Sequence, residues 1–133
     1  MSDDKDPLEK VLVDKNEINR KQLADGIDGI IGVDKETGEP APLPSYHDLN
    51  NRKQFVARLL ARRASVALDR LADDEVGITS GEAEDVLPVS ESTIQNYGSI
   101  DFVQNDSEQG GYYIPAYSID QAIEFIQTDE GDE

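Results

Sequence analysis

The sequence has no cysteine, one histidine and, beyond Arg70, no lysine or arginine. The lack of cysteine excludes disulfides and thiolate metal sites, and it leaves the redox compartment undetermined. His47 has no cysteine or second histidine to act with, so we expect a surface histidine rather than a metal ligand or catalytic group. No run of about eighteen apolar residues is present, and residues 1–10 are acidic rather than a basic leader. We therefore expect a soluble, cytoplasmic protein with no membrane partner.

The motifs that carry catalysis in other proteins are missing as well. The chain contains no glycine-rich phosphate loop, no Ser-His-Asp or Cys-His set and no metal-ligand spacing. Asp106 and Glu108 lie in a polar stretch, residues 105–111, whose spacing is not that of a calcium loop. Carboxylates are so numerous that pairs of them arise by chance. We expect a protein that is not an enzyme and that uses no cofactor, no metal and no small-molecule substrate.

What the chain has in excess is acid, with 29 Asp and Glu against 12 Lys and Arg and a net charge of −17. Residues 50–70 hold six bases and one acid, whereas residues 71–133 hold sixteen acids and no base. Repulsion at this level destabilises a compact state in dilute buffer and is screened in strong salt, where the Debye length is about 3 Å at 1 M. The composition resembles that of cytoplasmic proteins of salt-accumulating haloarchaea. The alternative is an ordinary acidic protein.

The length of 133 residues fits one domain with a loosely attached N-terminal piece. Residues 34–45 contain a Thr-Gly turn signal and three prolines, which predict a semi-rigid loop and the best candidate boundary. We therefore divide the chain into residues 1–45 (acidic tail, helix and proline-rich linker), residues 46–127 (the main domain) and residues 128–133 (a second acidic tail).

A first helix is expected over residues 16–31, with Asn16 as its cap. Gly26, Gly29 and Gly32 weaken it, since each glycine inside a helix costs about 1 kcal/mol. The glycines indicate either an early end of the helix or a surface to which another backbone comes close.

Residues 51–71 form the strongest predicted helix, capped by Asp48 or Asn50. One broad arc of this helix is apolar and is expected to face the core: Phe55, Val56, Leu59, Leu60, Val66, Ala67 and Leu71. Beside that arc runs a stripe of small side chains that lets a second helix approach closely, with Leu68 as an apolar contact for it: Ala57, Ala61 and Ala64. The arginines of the helix must keep their heads in water or meet carboxylates. They serve either the acidic remainder of the chain or an outside partner such as nucleic acid.

Two short helices follow. Thr79 or Ser80 is expected to cap the first, and Pro88 to stop it. Ser90 caps the second, which Gly98 ends. The residues expected to face inward are Ala83, Val86, Leu87, Ile94 and Tyr97.

Downstream, residues 100–104 and 112–115 are predicted strands joined by a polar turn over residues 105–111. Residues 118–127 make a closing helix with Ser118 as its cap. Its buried face is expected to consist of Ile119, Ala122, Ile123 and Ile126.

Residues 87–94, LPVSESTI, resemble the turn and recognition-helix start of helix-turn-helix proteins, Leu-Gly-Val-Ser-x-x-Thr-Val/Ile. Three residues depart from the pattern: Pro88 replaces the turn glycine, Glu84 a small residue, and Glu91 stands where a base is common. With the hairpin and closing helix, residues 48–127 resemble a winged helix-turn-helix domain. The resemblance implies a mainly α fold with a small β-hairpin (α+β) and an N-terminal helical extension.

The function implied by this resemblance is a DNA-binding transcription regulator of a haloarchaeon, its plasmid or its virus. Base contacts are expected from Ser92, Thr93, Gln95 and Asn96, of which the amides suit adenine. Phosphate contacts are expected from the long helix, through Arg58, Arg62 and Arg63. A homodimer is a further expectation, through the small-residue stripe or the N-terminal helix, because paired half-sites need two copies.

The alternative is a non-catalytic adaptor that keeps the winged fold and binds another protein. The acid-only half of the chain favours it, as do three tyrosines expected on the surface, Tyr112, Tyr113 and Tyr117. The arginines discriminate between the two hypotheses. If Arg58, Arg62 and Arg63 flank the groove side of residues 91–97, DNA binding gains; if they are paired internally, the adaptor gains.

Overall fold

The computed structural model describes residues 20–127, and this part of the chain is an α+β fold, as predicted. Its five helices are α1 Arg20–Ile27, α2 Asn51–Ala67, α3 Ser80–Val86, α4 Glu91–Tyr97 and α5 Ile119–Gln127. Its four strands make two antiparallel pairs, β1 Ile31–Val33 with β2 Pro40–Pro42 and β3 Gln104–Asp106 with β4 Gly111–Tyr113. Single 3-10 turns lie at Pro44–Asp48, Asp73–Glu75, Ser107–Gln109 and Ala116–Ser118. The expected cap Asn16 and the two acidic tails lie outside the described residues.

Helix α2 is the centre of the core, and α1, β1 and α5 all pack against it. Its cap is Asn50, whose side-chain oxygen accepts the N–H of Lys53 at 2.8 Å. The predicted extension to residue 71 is wrong, because Asp69 takes a left-handed φ of 63° and the N–H of Arg70 turns back to the carbonyl of Ser65 at 2.8 Å. Four apolar residues of the predicted arc are fully buried: Phe55, Val56, Leu59 and Leu60.

The small-residue stripe of α2 is covered within the chain over its first two residues. Ala57 and Ala61 are fully buried, so neighbouring elements do come close to this helix. Ala64, the third residue of the stripe, is half-buried and lines an open groove, so a dimer through this stripe stays a prediction. Leu68, expected to pack under the neighbouring helix, is 53% exposed, since α2 has ended before it.

Helix α1 ends at Ile27, and Ile31 already belongs to β1, so the predicted helix end at residue 31 is wrong. The break comes at Gly29, whose φ of 79° is left-handed. Gly26 is a point of close approach, since a Cβ there would lie 2.5 Å from the Ile123 side chain of α5. The glycines therefore mark both an early end and a tight helix contact, although a side chain rather than a backbone approaches.

The proline-rich stretch is not a plain loop, and that prediction is wrong for its second half. Residues Pro40–Pro42 pair with β1 in the register Ile31↔Pro42, Gly32↔Ala41 and Val33↔Pro40. Proline is tolerated in β2 because the sheet has only two strands and each has an open edge. The buried hydroxyl of Ser65 donates to the carbonyl of Gly38 at 2.8 Å and ties this hairpin to α2. Apolar residues from both sides of the expected boundary lie in one core, among them Leu23, Ile27, Ile31, Leu59 and Ile126.

Two further local predictions are wrong. Val86 is 44% exposed instead of inward, because α3 ends there and the extended Leu87 turns into the core in its place. Residues 100–103 form hydrogen-bonded turns, with the N–H of Val103 donating to Ile100, so the strand begins only at Gln104.

The closing helix has the predicted buried face: Ile119, Ala122, Ile123 and Ile126. It begins at Ile119, directly after the 3-10 turn Ala116–Ser118. Ser118 is therefore buried inside a continuous helical run rather than serving as a free cap. Within residues 20–127, no helix combines the length and the apolar character needed to cross a bilayer.

Candidate binding face beside the fourth helix

The start of α3 is fixed by a reciprocal cap. The hydroxyl of Thr79 accepts the N–H of Glu82 at 3.1 Å, and the Glu82 carboxylate accepts the N–H of Thr79 at 2.9 Å. This arrangement satisfies two backbone donors at the helix end. Ser80, the other expected cap, instead donates its hydroxyl to Glu91 at 3.2 Å and so links α3 to α4.

The turn between α3 and α4 ends in a second cap, as predicted. Ser90 accepts the N–H of Thr93 through its side-chain oxygen. Its hydroxyl also lies 3.1 Å from the hydroxyls of both Ser92 and Thr93. Pro88 follows the end of α3, as expected of a residue that cannot continue a helix. The local chemistry of these four residues therefore sets the direction in which α4 leaves the turn.

The inner side of α4 is held by aromatic packing. Ile94 and Tyr97 are buried, and the Tyr97 ring lies 5.8 Å from the Phe55 ring of α2. The guanidinium carbon of Arg52 lies 5.7 Å from the centre of the Tyr97 ring. Gly98 ends the helix, and a Cβ there would overlap the ring of Tyr112. The C-terminal end of α4 therefore sits directly on the hairpin.

The hairpin β3–β4 is joined to the chain before α3. Ile78 and Tyr112 exchange two backbone hydrogen bonds, of 2.9 Å and 2.7 Å, as an isolated antiparallel bridge. Gly111 has a left-handed φ of 127°, and a Cβ on it would overlap the carbonyl of Ile78. The bridge therefore ties the hairpin to Ile78, the residue that precedes the cap of α3.

The outer side of α4 is polar and carries no positive charge. Ser92, Gln95 and Asn96 are exposed, as is Glu91. Thr93, grouped with them as a predicted base contact, is half-buried and its hydroxyl is engaged by Ser90. We call the exposed residues Glu91, Ser92, Gln95 and Asn96 the α4 face. Because the chain has no lysine or arginine after Arg70, neither α4 nor the hairpin supplies a base to this face.

A groove of about 480 Å³ runs between the α4 face and the hairpin. We call it the polar groove. No charged side chain lines it, although acids stand on either side: Glu91 bonds to one of its residues, and Asp106 and Glu108 alternate with others along the chain. Its walls offer hydroxyl and amide groups together with one aromatic ring, from Thr79, Ser80, Gln95, Asn105, Ser107 and Tyr112.

Arg58, predicted to contact phosphate, is bound by a tyrosine. Its Nε donates to the phenol oxygen of Tyr46 at 2.8 Å, and its guanidinium carbon lies 5.2 Å from the centre of that ring. Tyr46 itself is buried. Burial raises the pKa of the Tyr46 phenol above its usual value of 10, and the Arg58 charge partly opposes the rise.

Arg62 and Arg63 are bound by backbone carbonyls. Arg62 donates through Nε and Nη2 to the Glu75 carbonyl at 3.1 and 2.9 Å, and its Nη1 lies 3.6 Å from the Glu39 carboxylate. Arg63 donates through the same two nitrogens to the carbonyl of Ile114 at 3.2 and 2.9 Å. The three predicted phosphate contacts are therefore held by Tyr46, Glu75 and Ile114 inside the chain.

The polar groove was missed by sequence reasoning. Thr79 caps α3 and Ser80 is its first residue, whereas Asn105 and Ser107 belong to the hairpin. Backbone hydrogen bonds from Gly77 to Gln109 and between Ile78 and Tyr112 bring the two segments together. The one feature of the sequence that points to this groove is that uncharged polar residues recur within an acidic half of the chain. His47 is exposed and lies edge-on to Tyr46, and the described residues contain no group of three side chains able to hold a metal ion.

Comparison with protein families, with curated proteins and with solved structures finds no match to this chain.

Proposed function

We propose that residues 48–127 form a winged helix-turn-helix module that binds another protein through the α4 face and the polar groove, without catalysis. The order α2, bridge residue Ile78, α3, α4 and hairpin supports the winged assignment, because it supplies a helix-turn-helix followed by a wing. Folds of this kind host many functions, so the choice of partner rests on the chemistry of the surface.

The observation that carries the proposal is the bonding of the α2 arginines. Arg62 and Arg63 each donate two hydrogen bonds to a backbone carbonyl, and Arg58 donates to a phenol. A hydrogen bond to a charged group contributes about 1.5–3 kcal/mol. Turning these side chains toward phosphates would forfeit that stabilisation and leave carbonyls without their donors. We therefore assign to these three arginines a role in stabilising the fold.

The charge of the α4 face also favours a protein partner. A DNA-binding surface normally neutralises several phosphates with lysine and arginine. Here Glu91 stands on the face, and Asp106 and Glu108 stand beside the groove. A partner that is itself basic or neutral and polar meets no repulsion there, whereas a phosphate backbone does. The hydroxyls and amides of the groove can hydrogen-bond to peptide groups.

A second candidate is a DNA-binding transcription regulator in a salt-accumulating archaeon. The observation in its favour is Gln95, which is exposed on α4 and also lines the uncharged groove. A glutamine in that place is suited to adenine. In molar salt the repulsion between the acidic face and phosphate is screened, with a Debye length of about 3 Å.

One experiment separates the two functions. A photo-activated cross-linker is placed at Gln95, and in a control chain at Gln121, which is exposed on α5. Both chains are irradiated in extract from a halophilic host at about 2–3 M KCl, where surface charge is screened. We expect one defined protein to be captured from Gln95 and not from Gln121.

The purified partner then serves to test the face itself. We expect the double substitution Gln95→Ala/Asn96→Ala to weaken its binding by about tenfold or more, equal to about 1.4 kcal/mol, with Gln121→Ala unchanged. Duplex DNA is titrated against the same proteins in the same salt. Binding of duplex that the double substitution abolishes, without capture of a protein, would replace this proposal with the regulator.

A further inference from the structure

A second groove lies on another part of the molecule, between α1, β1 and the C-terminal end of α2. Its volume is about 460 Å³, and we call it the apolar groove. Two charged side chains line it, Arg20 and Asp28, and its remaining side chains are apolar. Ala67 lies on the wall of this groove, whereas Arg52, on the same helix, contacts α4. The two residues are fifteen positions apart, which is about 22 Å along α2. The two grooves therefore lie toward opposite ends of α2.

The apolar groove has both knobs and a hollow. Leu68 is 53% exposed and Leu43 is 37% exposed, and both line it. Val86 and Tyr117 complete the set of large apolar side chains exposed among residues 20–127, and neither lines this groove. The hollow exists because small residues line it: Ala24, Gly29, Gly32, Ala64 and Ala67.

The hollow is open space rather than packed interior. A Cβ built on Gly29 meets no atom within 4 Å, and one on Gly32 meets nothing closer than 3.9 Å. A surface that carries protruding leucines beside an open hollow of small residues is complementary to itself. A two-fold dimer requires this property, because the same patch must serve on both copies.

We propose that the apolar groove is the seam of a homodimer, in which each copy inserts Leu43 and Leu68 into the hollow of the other. This inference is independent of the function proposed for the α4 face. The dimer would carry two α4 faces on the sides away from the seam, so a partner with two binding segments could engage both.

The distribution of charge favours a second copy as the occupant. Residues 20–70 hold nine bases and seven acids, whereas residues 71–127 hold twelve acids and no base. The apolar groove belongs wholly to the balanced part. Two copies that meet there bury no uncompensated acid, whereas two copies that meet through the other half bring like charges together.

The two charges of the groove fit the same arrangement. Arg20 is the first described residue of α1, and its Nη1 donates to the carbonyl of Ala67 at 3.1 Å, which holds the guanidinium at the rim. Asp28 follows the other end of α1. When two copies of α1 meet antiparallel across a two-fold axis, Arg20 of each copy faces Asp28 of the other. The pair therefore selects one orientation of the dimer.

The test is the mass of the full chain in solution, measured by sedimentation velocity and light scattering at about 2 M KCl, where self-repulsion is screened. We expect twice the chain mass of 14.7 kDa. Leu68→Glu should weaken the dimer by about a hundredfold, because it places a charge in the apolar seam. Val86→Glu is the matched control, with the same change of charge at a side chain of similar exposure, and should leave the dimer intact.

A charge exchange tests the orientation. Arg20→Glu alone should weaken the dimer, and Arg20→Glu/Asp28→Arg should restore it, since the pair across the axis is re-formed with reversed sign. Thermal melts of every variant establish that it is folded. A wild-type chain that stays monomeric overturns the proposal and assigns the groove to a different occupant. A dimer that Leu68→Glu and Val86→Glu weaken equally also overturns it.

Discussion

Three arginines of α2 are held by hydrogen bonds to particular neighbouring groups rather than by general attraction to acids. Carboxylates are the expected partners of arginine in an acidic chain, yet Arg62 and Arg63 each donate two hydrogen bonds to a backbone carbonyl, and Arg58 donates to the phenol of Tyr46. A backbone carbonyl cannot be predicted as the partner of an arginine from residue types, because every residue has one. The sequence predicted that the arginines need partners, and it could not predict which partners they have.

The role of Arg63 can be measured through stability. Arg63→Ala should lower the free energy of unfolding by about 1.5–3 kcal/mol, because the carbonyl of Ile114 loses its charged donor. Arg70→Ala removes the same charge from an exposed side chain and should change stability by less than about 0.5 kcal/mol. Both are measured by urea unfolding in high salt. Equal effects of the two substitutions would show that charge, rather than the bond to Ile114, is responsible.

The buried phenol of Tyr46 predicts a dependence on alkaline pH. Burial raises its pKa above 10 in the folded state, so the folded chain holds the phenol proton more tightly than the unfolded chain. This contribution to stability is complete below pH 10 and is lost as the pH rises through the folded pKa. Burial and the Asp106 carboxylate raise the pKa of Tyr113 in the same direction.

We therefore expect the free energy of unfolding to decline above pH 10 in the parent chain. Tyr46→Phe should make that decline shallower, leaving the part that belongs to Tyr113. The measurement is urea unfolding at a series of pH values in constant KCl. An equally steep alkaline decline in the Tyr46→Phe chain would rule out Tyr46 as a source of it.

At the scale of elements, helix ends were predictable and strand pairing was not. Asn50, Thr79 and Ser90 cap their helices through bonds that span three residues, so the sequence contains all the participants. The pairing of β1 with β2 escaped prediction because prolines are usually taken to exclude strands. The strand expected over residues 100–104 failed because Phe102 and Val103 are buried in a turn, which an apolar run alone cannot distinguish from a strand.

The contact between α4 and the hairpin can be tested with two glycines. Gly98→Ala should cost about 1–3 kcal/mol, because its Cβ would overlap the Tyr112 ring, which packs against Phe55 at 6.0 Å and has little room to shift. Gly81→Ala, exposed in α3 with no neighbour nearer than 3.9 Å, should stabilise by about 0.5–1 kcal/mol. Opposite signs in thermal melts are the expected result. A loss from both substitutions would indicate a general intolerance of the two short helices.

For the whole molecule, the uneven charge governs stability. Residues 71–127 carry twelve acids and no base, so repulsion within this half should fall as salt is added. We expect the melting temperature to rise as KCl is raised from about 0.1 to about 1 M, where the Debye length shrinks from about 10 to about 3 Å.

The variant Glu84→Gln/Asp85→Asn/Glu108→Gln neutralises three exposed acids of that half. We expect its melting temperature to rise less with added KCl than that of the parent chain. The control neutralises three exposed acids of the balanced half, Asp34→Asn/Glu36→Gln/Asp48→Asn, and should leave the rise larger than the first set does. A melting temperature that is insensitive to KCl in the parent chain would contradict the repulsion argument.

The candidate site was predicted in part. The resemblance to a recognition helix predicts Ser92, Gln95 and Asn96 as contacts, and these three side chains are exposed on α4. The polar groove could not be predicted, since it depends on a contact between segments more than thirty residues apart, at Ile78 and Tyr112. Likewise, whether an arginine is available to a partner or hydrogen-bonded within the fold depends on tertiary distances that helix periodicity does not contain.

The bridge between Ile78 and Tyr112 links the hairpin mechanically to α3. Its two amides donate to each other's carbonyls, so they should be protected from hydrogen exchange together and released by one common opening event. Thr79, which caps α3, follows Ile78 directly in the chain. A partner that displaces the hairpin on binding would therefore also displace the first turn of α3. Binding at one edge of the groove would in this way change the conformation of the other edge.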